Sequence, residues 1–367
     1  MMNKIFVTKA FLPPKKEYEA YINTIWANDI LTNQGPLLME FESKVKAYLG
    51  VDNFQFVANG TMALQLALRA LDIEEGEVIT TPFSYVATTS AILWEKLTPV
   101  YVDIDEHTLN IDPSKIEAAI TPKTKAILAV HVFGNPCDIY SIDKIAKKHN
   151  LKVIYDAAHA FGVQYKGKSI FSYGDISVCS FHATKVFHTI EGGGIFVHDK
   201  DISDKVELIK RFGHNGDDHI RLGINGKASE FQAAMGLCNI KYFKEIKHNR
   251  QIISESYDSL IYGSLQRQKP STAKSARNYG YYPIIFENER DNLANIKALN
   301  EHNIYPRRYF YPSLNELPYL KYANYCPISE SIAKRIACLP IYKDLDLVSV
   351  KRIATIINDL NERQIIH

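Results

Sequence analysis

Between about residues 55 and 200, short apolar runs alternate with segments of helical periodicity, which restricts the possible folds strongly. The apolar runs are candidate strands and cover residues 77–81, 99–103, 126–133, 152–155, 176–181 and 194–198. Helical spacing follows Asn59-Gly60-Thr61 and recurs over 84–94 and 139–149. Apolar strands that alternate with helices predict an α/β fold with a mostly parallel sheet flanked by helices. In such sheets ligands bind beyond the carboxyl ends of the strands.

After about residue 245 the pattern changes. A Lys- and Asn-rich helical segment at 241–260 leads into a polar stretch at 266–277. A strand candidate at 280–286, a helix at 291–302 and a Tyr/Pro-rich segment at 305–312 follow. This order predicts a large domain over residues 1–245 and a smaller α+β domain over residues 246–367.

Composition excludes several classes of protein. Lys and Arg number 43 against 41 Asp and Glu, and no run of like charges offers a surface for nucleic acid or membrane. The five cysteines form no C-x-x-C pair, so we expect neither a disulfide framework nor a metal site. No apolar stretch reaches the ~18 residues of a membrane span, and the N-terminus lacks a signal-peptide core. We therefore expect a cytoplasmic protein.

One segment matches the residue pattern of a nucleotide-binding motif but lacks the secondary structure that the motif needs. Residues 162–169 fit the phosphate-loop pattern G-x-x-x-x-G-K-[ST]. That loop must be followed by a helix, whose first amides hold the phosphate. The residues after Ser169 show no helical period, so the segment is interpreted as a surface turn between two short strands. A G-x-G-x-x-G motif after a strand is also absent, which argues against a dehydrogenase.

Three short segments could carry chemistry, and each also has an ordinary structural explanation. Gly60 in Asn59-Gly60-Thr61 could let a helix N-terminus approach an anion, or the segment could be a plain helix cap. Asp156 ends a buried strand and could be a capping residue. Lys185 follows the next strand and could be a solvated loop lysine, although the glycine run that follows is tighter than an exposed loop needs.

Together these residues fit the requirements of pyridoxal 5'-phosphate. That cofactor needs a lysine for a Schiff base, an acid at the ring nitrogen, a phosphate cup at a helix N-terminus and a flat side chain on the ring. Candidates for all four are present and are expected at the carboxyl edge of one sheet. They are Lys185, Asp156, the Gly60-Thr61 segment with Ser180, and the aromatic pair Phe83 and Tyr85.

The motifs resemble those of the DegT/DnrJ/StrS family of sugar-nucleotide aminotransferases. The resemblance rests on Ser180-Phe-His-Ala-Thr-Lys185, on Glu191-Gly-Gly and on Asp156-Ala-Ala-His159-Ala. It extends over nearly the whole chain through residues 31–36, 59–61, 223–230 and 307–312. The family implies the aspartate-aminotransferase-like fold (fold type I) and pyridoxal phosphate as cofactor.

The resemblance also implies a role for individual residues. Lys185 would bind the cofactor covalently and transfer the proton, while Asp156 would pair with the ring nitrogen and His159 would lie near the ring hydroxyl. The other cofactor contacts implied are Gly60, Thr61 and Ser180 at the phosphate, Tyr85 on the ring, and Asn225 reaching from the second subunit of a homodimer with shared active sites. His159 stands where Gln is common in the family, and Ala228 where Met is frequent.

The implied reaction moves an amino group from L-glutamate to a nucleotide-linked keto-deoxysugar. Residues 7–14, 25–26 and 30–36 resemble the family members that aminate carbon 4 of dTDP-4-keto-6-deoxy-D-glucose. The hydroxyls of Thr32, Tyr309 and Tyr311 are candidates for reading the orientation of the sugar. A 3-aminotransferase acting on a dTDP-3-keto-6-deoxyhexose is the alternative. A non-catalytic regulatory protein on the same fold is a more distant one, and relatives that catalyse 3-dehydration carry His at the position of Lys185.

Overall fold

A computed structural model describes residues 4–263, 265–321 and 324–365. The strands are β1 (Ile5–Phe6), β2 (Phe54–Val57), β3 (Glu77–Thr80), β4 (Thr98–Tyr101), β5 (Thr124–Val130), β6 (Lys152–Asp156), β7 (Gln164–Tyr165), β8 (Lys168–Ser169), β9 (Ile176–Ser180), β10 (Gly193–Val197), β11 (His214–Asn215), β12 (Asp218–His219), β13 (Ser275–Ala276), β14 (Pro283–Ile285), β15 (Ile304–Tyr305) and β16 (Ile336–Cys338). The helices are α1 (Lys15–Asn28), α2 (Pro36–Leu49), α3 (Gly60–Ala70), α4 (Ala87–Trp94), α5 (Pro113–Ile116), α6 (Ile139–His149), α7 (Lys200–Ile209), α8 (Glu230–Leu260), α9 (Glu289–Glu301), α10 (Pro327–Arg335) and α11 (Leu347–Ile365). None of the helices in these ranges is long and apolar enough to cross a membrane.

The centre of the molecule is a seven-stranded sheet in the order β2-β10-β9-β6-β5-β3-β4. Strands β9, β6, β5, β3 and β4 pair in parallel, whereas β10 runs antiparallel to both of its neighbours. One core packs α2, α6 and α8 against the sheet, and a second packs α3, α4 and α7 against it. The predicted α/β class with a mostly parallel, helix-covered sheet is confirmed.

The boundaries of the predicted elements differ from the observed ones at specific turns. The helix predicted at 139–149 is observed over those residues as α6, and α4 begins at Ala87, later than predicted. The strand predicted at 126–133 ends at Val130, because a 3₁₀ turn follows at Val132–Gly134 and Phe133 has a φ of 56°. Strand β2 was not predicted, since four residues that are all buried show no alternation of apolar and polar side chains.

Residues 162–169, which match the phosphate-loop pattern, contain a β-hairpin. Strands β7 and β8 pair antiparallel, and Lys166 and Gly167 between them both have positive φ values, 49° and 78°. Strand β13 from the C-terminal part of the chain pairs with β7. Because no helix starts at Ser169 beyond a single 3₁₀ turn, there is no helix N-terminus to hold a phosphate. The interpretation as a turn between two short strands is confirmed.

The C-terminal part of the chain builds a third core around β14, β16, α9 and α11. Helix α8 runs through residue 245 without interruption and packs against both α2 and α11. Strand β1, from the N-terminal end, pairs in parallel with β15. The division into residues 1–245 and 246–367 stays a prediction. Helix α8 contributes side chains to the cores of both parts, and each part contributes a strand that pairs with a strand of the other.

Two segments that carried the family resemblance meet in one capping arrangement. The buried carboxylate of Glu230 accepts hydrogen bonds from the backbone N–H groups of Leu37 and Leu38, at 2.9 and 2.8 Å. It therefore satisfies first-turn amides of α2 and faces the positive end of its dipole. A Cβ atom on Gly35 would lie 2.5 Å from the carboxyl carbon of Glu230, so a larger residue there would displace this carboxylate from the two amides.

Candidate active site

A cavity of about 550 Å³ opens beyond the carboxyl ends of the central strands. Residues that follow β3, β6 and β9 contribute to its lining, together with the start of α3 and segments from the C-terminal part of the chain. The predicted site residues that line it are Gly60, Thr61, Tyr85, Asp156, His159, Ser180, Lys185 and Tyr309.

Lys185 lies in the turn that follows β9 and extends its amine into the cavity. Its Nζ donates a hydrogen bond to the hydroxyl of Tyr281 at 3.2 Å. Burial lowers the pKa of Lys185 from its ordinary value, against the opposing attraction of the Asp156 carboxylate. A larger fraction of the amine is therefore neutral near pH 7 than for an exposed lysine, which suits a nucleophile and a base.

Asp156 is the last residue of β6 and is almost fully buried. Its Oδ2 accepts a hydrogen bond from the Thr88 hydroxyl at 2.8 Å, and its Oδ1 accepts one from the backbone N–H of Ala158 at 3.1 Å. Burial raises the pKa of this carboxyl above its ordinary value. Within the described ranges no cationic side chain lies at salt-bridge distance from it, so a ligand that brings a positive charge would complete the site.

His159 is held in one tautomer by the 3₁₀ turn Val132–Gly134, which follows β5. The backbone N–H of Phe133 donates to its Nδ1 at 3.2 Å. Because Nδ1 accepts, the proton of the neutral ring is on Nε2, which can then donate to a ligand. Burial lowers the pKa of His159 well below its ordinary value, so the ring is neutral at pH 7. His159 thus presents a hydrogen-bond donor rather than a charge.

The N-terminus of α3 contributes hydrogen-bond donors for an anion to the cavity lining. Asn59 caps the helix by accepting from the backbone N–H of Met62 at 2.8 Å. A Cβ atom on Gly60 would lie 2.9 Å from the Cβ of Ser180, so only glycine lets α3 start this close to β9. Thr61 and Ser180 add hydroxyls to the amides of the first helical turn. This is the donor set that proteins use for phosphate.

The residues present therefore fit pyridoxal phosphate. The cavity holds an amine with a lowered pKa, a buried carboxylate that lacks a cation among the described residues, and a phosphate site at a helix N-terminus. Tyr85, which is 54% exposed, is the aromatic residue of the predicted pair that lines the cavity. Phe83, the other member, is fully buried and packs against Phe133 and Phe310 in the core.

Three further predicted site residues lie outside the cavity of a single chain. Thr32 and Asn225 are exposed, on the loop before α2 and on the segment before α8. Tyr311 is 47% exposed and has the guanidinium of Arg308 over its ring, 3.5 Å from the centroid. The roles predicted for Thr32 and Tyr311 with the sugar, and for Asn225 across an interface, stay predictions.

Several residues that contact the site were not predicted from the sequence. Thr88, the second residue of α4, is fully buried and bonds Asp156, whereas Tyr281 precedes β14, lines the cavity and bonds Lys185. Arg307 lies beyond β15 with its guanidinium 5.2 Å from the ring centroid of Tyr309. Thr88 follows the same strand as Tyr85, which was a usable signal. Arg307 lies in the segment 307–312 that carried the family resemblance, which was also a usable signal, whereas no motif marks Tyr281.

Comparison with known proteins agrees with this geometry. The chain matches the family model of the DegT/DnrJ/EryC1/StrS aminotransferases over residues 14–358. It is 42% identical over 370 residues to the dTDP-4-amino-4,6-dideoxy-D-glucose transaminase of Shigella dysenteriae, covering 98% of this chain and 100% of the relative. Its identity to the transaminase of the same name from Escherichia coli is 41%, covering 96% and 97%. The crystal structure of DesI in the presence of its TDP-sugar product superposes with a TM-score of 0.92 at 29% identity, over 99% of this chain and 96% of that chain.

Proposed function

The chain belongs to the DegT/DnrJ/EryC1/StrS aminotransferase family, and on that basis we propose that it transfers an amino group from L-glutamate to carbon 4 of dTDP-4-keto-6-deoxy-D-glucose. The product is dTDP-4-amino-4,6-dideoxy-D-glucose. The enzyme is a transaminase that depends on pyridoxal phosphate. The observation that carries the proposal is the cavity in which Lys185, Asp156 and the N-terminus of α3 meet.

Each of the predicted residues in the cavity has a separate role in the proposed reaction. Pyridoxal phosphate, when bound, supplies an electron sink that lets an amino acid lose its α-proton. Lys185 would anchor that group, and its Nζ, once free, would take up the α-proton of the donor and later deliver a proton to the acceptor. The Asp156 carboxylate would stabilise positive charge on the ring nitrogen, and the Nε2–H of His159 would donate to the ring hydroxyl. Gly60, Thr61 and Ser180 would hold the phosphate.

The choice of substrate rests on the relatives. Two proteins that are 42% and 41% identical to this chain over nearly its full length are both named as dTDP-4-amino-4,6-dideoxy-D-glucose transaminases. The solved structure that superposes over 99% of this chain is described with a TDP-sugar product. These similarities favour amination at carbon 4 over the 3-aminotransferase alternative. The fully formed site with Lys185 disfavours a non-catalytic regulatory protein.

The test is an assay with dTDP-4-keto-6-deoxy-D-glucose and L-glutamate, in which proton NMR locates the nitrogen on the product. We expect a 4-amino sugar without any further enzyme. Amination that occurs only after a 3,4-ketoisomerase is added, with nitrogen on carbon 3, would overturn the assignment. The same assay with UDP- and GDP-linked keto sugars tests the nucleotide.

The amino donor needs a cation for its carboxylate, and Arg307 is our candidate. Its side chain is exposed at the cavity lining, and among the described residues it has no carboxylate at salt-bridge distance. Arginine binds carboxylates through two parallel hydrogen bonds. We expect Arg307→Ala to raise KM for L-glutamate by about 10- to 100-fold and to leave KM for the sugar nucleotide nearly unchanged.

Steady-state kinetics with each substrate varied in turn checks this prediction. Arg290→Ala is a suitable control, because the Arg290 side chain is 88% exposed and does not line the cavity. An increase in KM for the sugar nucleotide alone would instead place Arg307 at the diphosphate and refute the assignment to the donor.

We further propose a homodimer whose active sites are shared. The segment around β11 and β12 carries large apolar side chains that are exposed in the single chain, and a second copy would cover them. They are Phe212, Ile220, Leu222 and Ile224, at 50%, 59%, 85% and 44% exposure. Asn225 directly follows this segment, so it could reach the site of the partner.

Subunit mixing tests the shared site. Lys185→Ala and Asn225→Ala homodimers should each be inactive, whereas their mixture should recover activity, since some heterodimers contain one intact site. Mixtures that are shown to exchange subunits but regain no activity would contradict the proposal. Location in the cytoplasm and a role in the synthesis of O-antigen or other lipopolysaccharide sugars are part of the same proposal.

A further inference from the structure

The hydroxyl of Tyr281 is the one hydrogen-bond partner that the described part of the chain gives to the Nζ of Lys185. The distance between the two atoms is 3.2 Å. Tyr281 is 8% exposed and lines the cavity. Burial raises the pKa of Tyr281, and its hydroxyl is therefore neutral at pH 7. A neutral phenol can hydrogen-bond to the amine of Lys185 without adding a negative charge, which would favour the protonated amine.

The backbone at Tyr281 is fixed from two sides. The Asn278 side chain donates to the carbonyls of His159 and Phe161, at 2.8 and 3.0 Å, and accepts from the N–H of Gly280 at 3.1 Å. The buried guanidinium of Arg250, on α8, donates to the carbonyl of Gly280 at 3.2 Å. These bonds attach the segment before β14 to the loop that carries His159.

The ring of Tyr281 also has defined neighbours. Its centroid lies 4.6 Å from that of His159, 5.3 Å from that of Phe133 and 5.8 Å from that of Tyr309. A side chain that is packed on three rings and held by an anchored backbone can keep its hydroxyl at one position. The hydroxyl therefore has a defined position, and its hydrogen bond to Nζ restricts the conformations of the flexible Lys185 side chain.

We propose that Tyr281 is a positioning residue, whose hydroxyl holds the Nζ of Lys185 in the cavity both before the cofactor is bound and when the amine acts as a base. A lysine side chain has four rotatable bonds, so without this contact its amine would spend less time where it must react. The inference rests on the proposed role of Lys185. It does not depend on which sugar is the substrate.

The informative variant is Tyr281→Phe, which removes the hydroxyl and keeps the ring contacts with His159 and Phe133. The control is Tyr257→Phe, since Tyr257 is fully buried and its hydroxyl bonds the carbonyl of Pro340, away from the cavity. The control thus measures the general effect of removing a buried tyrosine hydroxyl.

The first measurement uses apoprotein and no sugar. Trace labelling of amines with acetic anhydride across a pH series, followed by peptide mass spectrometry, reports the protonation of Lys185, with Lys247 in the same digest as internal reference. The other titratable groups that act on Lys185 are Asp156, His159, Cys179, Tyr85 and Tyr309, and all stay in place. Losing an acceptor of the ammonium should move the midpoint of Lys185 labelling to lower pH, while that of Lys247 stays unchanged.

The second measurement is kinetic. In the cofactor-loaded enzyme, Tyr281→Phe should lower kcat by about 10- to 100-fold, with KM for both substrates within about twofold of the parent value. Tyr257→Phe should change neither kcat nor the labelling profile. The proposal is overturned if the Lys185 labelling midpoint and kcat of Tyr281→Phe both equal those of the parent enzyme, or if Tyr257→Phe reproduces both changes. Because labelling needs no substrate, either result is distinguishable from an incorrect choice of sugar.

Discussion

Replacing Lys185 with alanine should lower kcat by more than about 10³-fold. The substitution removes the amine that anchors the cofactor and, in the same side chain, the base that moves the proton between donor and acceptor. Because burial lowers the pKa of Lys185, no exposed lysine would be an equally good base near pH 7. The readout is the rate of amino-sugar formation, together with the visible absorption of the purified protein, which should be yellow for the parent and changed in the variant.

Lys247→Ala is the matched control. Lys247 is a partly buried lysine on α8, burial also lowers its pKa, and it does not line the cavity. Its replacement should leave kcat within about twofold of the parent value. A Lys185→Ala enzyme that retains more than a tenth of the parent rate would contradict the proposed roles of Lys185 as cofactor anchor and base.

The substitution Asp156→Asn should lower kcat by about 10²- to 10³-fold while the cofactor stays bound. Asparagine has the same shape and can keep the contacts with the Thr88 hydroxyl and the Ala158 amide. It lacks the negative charge that stabilises a protonated ring nitrogen, so the electron sink is weakened. The lysine and the phosphate site are untouched, so absorption of bound cofactor should persist.

Asp103→Asn provides the control for loss of a buried carboxylate. Asp103 is also buried, accepts from the backbone N–H groups of Ile328 and Ser329 at 3.0 and 2.9 Å, and lies outside the cavity. This variant should be less stable to heat and should keep its kcat. Equal losses of kcat in the two variants would mean that Asp156 acts through stability rather than through charge.

The positions of the main cofactor residues could be predicted because they depend on a local rule. Asp156 and Ser180 end parallel strands, Lys185 follows shortly after one, and residues at this edge of a sheet converge. The glycine at position 60 could also be predicted to allow a close approach, although the partner, the Cβ of Ser180, could not. Six of the seven strands of the central sheet were predicted from apolar runs, and α3, α4 and α6 from helical spacing, whereas β2, α2 and α7 were not predicted.

The contacts that tune these residues could not be predicted, because they join segments distant in the sequence. Tyr281 reaches Lys185 from 96 positions away, and Thr88 reaches Asp156 from 68. Phe133 was assigned to a strand, yet the turn that takes it out of that strand brings its N–H to His159. Periodicity records which face of an element is apolar and carries no information about such pairs.

The most direct test of the central claim is to find which lysine forms the covalent link. Protein incubated with pyridoxal phosphate is reduced with borohydride, digested and examined by peptide mass spectrometry. We expect one stoichiometric adduct, on Lys185. A protein that stays colourless and unlabelled with added cofactor, or one that carries its stoichiometric adduct on another lysine, would contradict it.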